Sequence, residues 1–411
     1  MHRLQKSPLA SIGLLLTLAI SLELAPHAHA AELLKIKLES PGEAPRTDAL
    51  ISAVLAQAQE RAALEQRFKG VTPVIKLQDP RSVGQIDFVA AEGGHAAVLY
   101  WVQPTLKPGA AEAVVTLSTG HAKEDGFRYE DTPAGRDLFF LKQPVHRHVN
   151  IPHDPARHVE TYKHFHHLFG LHGEGPITKG PGGQFTHHRG LYIGWSKTRH
   201  AGKTYDFWHC KTPETFIQHD QYLKESEALG PVFARTASLA HWRQGESVIV
   251  RERRELTAWK PSAAGYTLDI EFTLEAVEGD VELDGDPQHA GFQLRAHESV
   301  EKSNATYTRP AGATGGKGDV WDNTRWVAAS FKIADKPYEL AHMNHPDNPA
   351  CVYSTRNYGR FGSYFKHTLK AGQPLRLRYR VVLADPRATK PDWVAAFAQY
   401  IEPLRGAAAV K

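Results

Sequence analysis

Between Tyr266 and Leu274 an apolar side chain stands at every second position: Tyr266, Leu268, Ile270, Phe272 and Leu274 alternate with Thr267, Asp269, Glu271 and Thr273. A period of two suits an extended strand with one buried and one wet face, because a helix would spread the same residues around its axis. Leu375, Leu377, Tyr379, Val381 and Leu383 repeat the pattern against Arg376, Arg378 and Arg380. Further short runs at 97–102, 113–118, 247–259 and 291–296 are separated by Gly, Pro, Asn and Asp, the punctuation of an all-β chain. The expected fold is a large antiparallel β-sandwich or supersandwich.

Two segments depart from this period. Residues 47–68 lie between Pro45 and Gly70 and contain Ala49, Leu50, Val54, Leu55, Ala62, Leu64 and Phe68, a composition that predicts an N-terminal helix. Residues 392–401 follow Pro391 and predict a short C-terminal helix. The first 30 residues read as a secretory signal peptide: His2, Arg3 and Lys6, then an apolar run from Ile12 to Leu22, then Ala28-His29-Ala30. The expected organisation is a signal peptide over 1–30, an extension carrying the helix over 31–70, and a single sandwich domain over 71–411. No later segment approaches the ~20 apolar residues of a membrane helix, so the expected destination is the periplasm or the exterior. An oxidising compartment would permit a bridge between Cys210 and Cys351 without the core depending on it. The net charge of +4 is spread among interleaved acids and bases, which argues against a nucleic-acid partner.

Histidine usage points to chemistry. Thirteen of the 24 histidines fall between His146 and His219. The densest blocks are Phe165-His166-His167, Thr186-His187-His188-Arg189-Gly190 and Asp206-Phe207-Trp208-His209-Cys210. Imidazole both ligates metals and titrates near neutral pH. Read as a strand, 186–195 would place His187, Arg189, Leu191, Ile193 and Trp195 on one face and His188, Gly190, Tyr192 and Gly194 on the other. His188 would then project into a trough beside Tyr192, with Arg189 at the rim to pair with an anionic group. Neighbouring histidines on a strand cannot share one ion, so at most one from each pair is expected as a ligand. His167, His188 and His209 form the candidate set for one divalent metal, zinc, calcium or copper. For any single histidine the commoner role is a half-buried filler bonded to a carbonyl, and His146, His148, His153 and His158 read as surface or loop. Trp195 and Trp208 offer flat faces to a sugar ring, although core packing is the usual use of tryptophan.

Three strings carry a family resemblance: Thr178-Lys179-Gly180-Pro181-Gly182-Gly183, the His187-His188-Arg189-Gly190-Leu191 block with Gly194-Trp195, and Asp206-Phe207-Trp208-His209-Cys210. His345-Pro346-Asp347-Asn348-Pro349 and Arg356-Asn357-Tyr358-Gly359-Arg360-Phe361-Gly362 add to it. Together they resemble the bacterial family labelled "methane oxygenase PmoA" from about residue 146 to 382. Gln184-Phe185-Thr186 stands where that family often has Asp-His-Pro. The resemblance implies a secreted β-sandwich protein of glycan-degrading bacteria.

The leading expectation is a carbohydrate-active enzyme, a glycan lyase or hydrolase acting on an oligosaccharide or polysaccharide. In it His188 or His187 exchanges a proton, Arg189 holds an anionic group and Tyr192 serves as a second acid or base. His166, His167, Asp206, Trp208 and Trp195 would complete the substrate pocket. The alternatives are a copper-dependent oxygenase built on the same imidazoles and a non-catalytic glycan-binding module.

Overall fold

A computed structural model describes residues 32–40, 46–56, 73–77, 82–91, 94–119, 126–300 and 304–409, with Leu64, Gln66 and Asp79. The segment expected to be a signal peptide lies outside the described residues. The fold is all-β, with sheets that are antiparallel apart from the parallel pair Arg46–Ala56 and Leu404–Ala409. Tyr266, Leu268, Ile270, Phe272 and Leu274 are buried, while Thr267, Asp269, Glu271 and Thr273 are not. The strand Gly265–Ala276 pairs with Leu375–Ala384 in the register Leu268↔Val381 and Phe272↔Leu377, so apolar faces coincide. On the opposite face Arg380 donates to Asp269 (2.6 Å) and Arg376 to Glu271 (2.6 Å). Each fully buried Phe or Leu of this set contributes ~1.5–3 kcal/mol, which makes the register costly to shift.

That strand belongs to a nine-stranded sheet, which shares one core with a ten-stranded sheet running through Gln143–Val149, Phe165–Leu168, Leu191–Trp195 and Ala290–Arg295. Trp195 meets Trp242 across the two (5.9 Å between ring centroids), and Phe292 meets Phe272 (5.1 Å) and Tyr379 (4.7 Å). The C-terminal helix forms over Trp393–Ile401. Its N-cap Asp392 accepts from the Ala395 amide, and Trp393 donates to Glu339 (2.9 Å). Among the described residues no helix is long and apolar enough to cross a membrane.

The N-terminal part differs from expectation. Residues Arg46–Ala56 form a strand rather than the first half of a helix, pairing with Gly94–Leu106 over Leu50↔Val102 and Ala53↔Leu99. Alanine-rich composition favours helix only weakly, and burial of Ala49, Ile51 and Ala53 against Leu99 and Trp101 decides the outcome. Leu64 and Gln66 are helical; their neighbours lie outside the described residues. The expected boundary at residue 70 falls inside a seven-stranded sheet, since Pro73–Leu77 pairs with Gly109–Thr119, which pairs with Glu32–Ser40. The C-terminal strand Leu404–Ala409 lies at the middle of this sheet, between Glu32–Ser40 and Arg46–Ala56, and the sheet has its own core around Ile36, Ile51, Leu99, Trp101 and Val115. Gln85 bonds the Val232 and Phe233 amides, and Arg235 pairs with Asp87, so this sheet is tied to the nine-stranded one. Cys210 and Cys351 are both free.

Candidate metal centre

The site is assembled at one end of the strand pair Leu191–Trp195 and Ala290–Arg295, whose register sets Trp195 opposite Ala290. His289 directly precedes Ala290, and its carbonyl accepts from the Ser196 amide (3.1 Å). The Phe207 amide donates to the Trp195 carbonyl (3.0 Å), which docks the loop carrying Asp206 and His209 against the same end. Gly194 permits that approach, because a Cβ there would lie 2.4 Å from the Phe207 carbonyl oxygen. The third arm is the turn at Thr186–His187, held by Arg189. The guanidinium donates to the carbonyls of Thr186, His188 (2.9 Å) and Val159 (2.5 Å) and lies 4.8 Å from the centroid of the Tyr162 ring.

One ring nitrogen each from His187, His209 and His289 lies within 4.8 Å of the other two, and all three residues are partly exposed. Their local chemistry is alike in two cases. Asp206 accepts the Trp208 and His209 amides at Oδ1 (3.1 and 2.9 Å) and meets His209 Nδ1 at Oδ2 (2.8 Å). Asp286 accepts the Gln288 amide (2.9 Å) and meets His289 Nδ1 at 3.0 Å. Each is an Asp-x-x-His turn in which the carboxylate folds back on the imidazole three residues ahead. Burial alone would raise the Asp206 pKa, but the hydrogen bonds from the His209 side chain and amide overcome it and hold the group below the usual range. The His289 hydrogen bond, working against burial, does the same for Asp286. A carboxylate can only accept, so Nδ1 donates and Nε2 is left with the lone pair. This carboxylate–histidine arrangement is how metal-ligating imidazoles are commonly oriented. His187 lacks an acid. Burial, then the neighbouring His209, pushes it down to about 3, and its buried Nε2 has no hydrogen-bond partner among the described residues.

Two features mark the loops as constrained. Phe185 and Cys210, flanking the ligand positions, have φ of 55° and 47°, a left-handed conformation unfavourable for side chains of their size. Phe185 is exposed and stacks on Tyr358 (5.0 Å, 29°) at the mouth beside His187.

The structure thus brings together His187, Asp206 and His209 from the sequence-based set, and leaves the others outside the three-nitrogen group. Residues 186–190 are turn and loop, with the strand starting at Leu191, so the alternating-face division does not hold for His187 and His188, whose rings touch (4.3 Å). His188 is buried, with Phe185 and Tyr358 near it, and burial followed by His187 drives its pKa far down. It does not reach solvent and is outside the three-nitrogen set. Arg189 is fully buried and occupied by carbonyls, so it is a brace rather than an anion ligand. Tyr192 and Trp208 are fully buried and pack on each other (4.7 Å), and burial raises the Tyr192 pKa well above the usual phenol value. Trp195 is core, its Nε1 donating to the Phe365 carbonyl (3.0 Å). His167 bonds the Thr178 hydroxyl (3.0 Å) beside Gly180, and His166 lies in a separate buried cluster with His146 and His148. His146 and His148 are buried strand residues, not surface ones.

His289 and Asp286 escaped the sequence reading because a search for crowded histidines passes over an isolated one. The available signal was the spacing Asp206-x-x-His209 recurring as Asp286-x-x-His289.

Residues 140–398 match a family described as "Family of unknown function (DUF6807)". The match spans well over half of the chain and contains all three imidazoles and both carboxylates. No curated protein matches the chain.

Proposed function

The chain belongs to the DUF6807 family, and we propose that it is a metalloenzyme whose His187, His209 and His289 hold one divalent transition metal with an open position. The observation that carries this reading is that one ring nitrogen from each of His187, His209 and His289 lies within 4.8 Å of the other two, with two of the rings held at Nδ1 by Asp–His turns. Nitrogen-only donors suit zinc or copper and not calcium, which takes oxygen ligands. When bound, such an ion supplies a Lewis acid and lowers the pKa of its water to ~7.

The residues of the chain do the remaining work. Asp206 and Asp286 fix the tautomer and direction of two imidazoles, and burial keeps the third in its neutral, ligating form. Phe185 and Tyr358 present an aromatic rim beside the ion position, suited to the C–H face of a sugar ring. Together with what the motif resemblance in the sequence implies, this is the ground for proposing a glycan lyase or hydrolase as the activity class. The same donor set would serve a copper oxygenase, so the identity of the metal decides between the two.

The test uses protein purified without a histidine tag. Metal analysis should find zinc bound through the three histidines, and a screen of plant and algal polysaccharides should give products that His209→Ala abolishes. Stoichiometric copper with oxygen-dependent products would shift the reading to the oxygenase. Unchanged metal binding in His187→Ala, His209→Ala and His289→Ala alike would end it.

A further inference from the structure

A second group of histidines lies where an apolar core would be expected. His146 and His148 share a face of the strand Gln143–Val149, and His166 sits opposite His148 on Phe165–Leu168. His219 approaches from Thr215–Tyr222 in the nine-stranded sheet, its ring 5.0 Å from that of His148. His164 completes the set at 5.1 Å from His148 and 6.3 Å from His219. Five imidazoles therefore fill one part of the space between the two sheets.

Their hydrogen bonding is incomplete. Both ring nitrogens of His146, both of His166 and Nδ1 of His219 are buried without a partner among the described residues. Each unsatisfied buried polar atom costs ~1–3 kcal/mol, so a partner for His219 Nδ1 would be stabilising. The other nitrogens form a chain whose direction is fixed at one end. Arg254 can only donate, so His164 accepts at Nε2 (3.2 Å) and carries its proton on Nδ1. That proton is given to His148 Nε2 (2.8 Å), and His148 Nδ1 donates to the Tyr222 hydroxyl (2.9 Å).

We propose that His148 Nε2, His164 Nδ1 and His219 Nδ1 form a second metal site, one that takes a nitrogen-preferring divalent ion such as zinc and ties the two sheets together. One ring nitrogen from each of the three residues falls within 4.8 Å of the others. The ion takes the place of the proton between His164 and His148. The proton moves to His164 Nε2, 3.8 Å from Glu252 Oε1, which requires the Arg254 N–H that now donates to that atom at 3.2 Å to turn away. Tyr222 already stands behind His148, and Glu252 is the carboxylate nearest His164 Nε2. Glu252 is itself braced by Arg254 (2.7 Å) and Trp242 (2.9 Å). Burial keeps all five rings in the neutral form that ligates. The ion reaches the interior past His219, which lines an open cavity of about 590 Å³ with His153, Phe216, Asp220 and His241.

Zinc counting on the untagged full chain, after equilibration with excess zinc and gel filtration, separates this site from the rim site. The wild type should hold two zinc ions, His289→Ala one and His219→Ala one, with the double variant holding none. Cobalt loaded into His289→Ala should give the visible bands of a low-coordinate nitrogen site, and His219→Gln, which keeps polarity and approximate size, should weaken that binding at least 100-fold. A wild type holding one ion that His289→Ala removes entirely, or a cobalt spectrum in His289→Ala that His219→Gln leaves unchanged, would overturn the proposal. If the rim reading alone fails, the wild type holds one ion that His219→Ala removes and His289→Ala retains.

Discussion

Asp206→Asn isolates the orienting carboxylate with almost no change in shape. The amide oxygen can still accept the Trp208 and His209 amides at 3.1 and 2.9 Å, so the turn itself should persist. At the other oxygen, 2.8 Å from His209 Nδ1, an amide NH2 now faces the ring. It can only donate, so His209 must accept at Nδ1 and carry its proton on Nε2, the atom that would meet the metal. Restoring the ligating tautomer sets two donors against each other. Losses of this kind run to about 10–100-fold in metal affinity, or ~1.4–2.8 kcal/mol. Asp286→Asn is the milder test, because both carboxylate oxygens lie 3.0 Å from His289 Nδ1 and the amide oxygen can still accept from it, so the loss should be smaller. The assay is zinc affinity by chelator competition at pH 7.5, together with the melting temperature of the metal-free protein as a control on the fold. Metal-free melting points near that of the wild type are expected, with affinity about 10–100-fold weaker in Asp206→Asn and less affected in Asp286→Asn. Wild-type affinity in both variants would refute the assignment of these carboxylates, and with it the orientation argument for the centre.

Acid should destabilise the metal-free fold. Burial pushes His146 and His342 down to about 3, against ~6.5 in an unfolded chain, so between those values the unfolded state binds more protons and stability falls as pH drops. The loss approaches ~1.4 kcal/mol per pH unit for each such group, with His148, His164 and His166 acting in the same direction; a urea midpoint that stays level from pH 7 to 5 would contradict this. Arg189→Lys keeps the charge but cannot reach three carbonyls at once, and should lower stability by ~2–3 kcal/mol and weaken zinc binding through the His187 turn, seen in denaturant and chelator titrations. At Phe185, the left-handed backbone makes Phe185→Gly more stable than Phe185→Ala by ~1 kcal/mol. Loss of the aromatic rim should raise KM in both variants with kcat held; an unchanged KM would remove Phe185 from substrate contact.

Much of the fold was legible because alternation is a local signal with one geometric solution. Tyr266–Leu274 and Leu375–Leu383 each state which face is buried, and their pairing in register follows from matching those faces. Arg46–Ala56 carried a weaker signal. Its small apolar residues suit helix and strand almost equally, and contact with Leu99 and Trp101, some fifty residues on, chose the strand. At the site two of the three imidazole blocks come together, through His187 and His209, while Phe165-His166-His167 lies apart, and the parity argument for 186–195 presumed a strand that begins only at Leu191. Arg189 misled for a related reason. An arginine beside histidines looks like an anion ligand, and nothing local shows that backbone carbonyls will surround it.

The spacing of the ligands explains this division. His187, His209 and His289 are separated by 22 and 80 residues, so the three nitrogens converge only once the strands Leu191–Trp195 and Ala290–Arg295 have paired. Each Asp–His arm, by contrast, closes within a single turn and is written in four consecutive residues. The centre therefore consists of two arms that the sequence specifies locally and a meeting point that only the sheet can supply. An ion that binds this assembled arrangement and not the unfolded chain must stabilise the fold, by ~2.7 kcal/mol when its free concentration is 100 times its dissociation constant. Removing an arm should abolish that increment while leaving the metal-free fold intact, because Asp206, His209, Asp286 and His289 are partly exposed at the rim and lie outside the apolar cluster that holds the two sheets together.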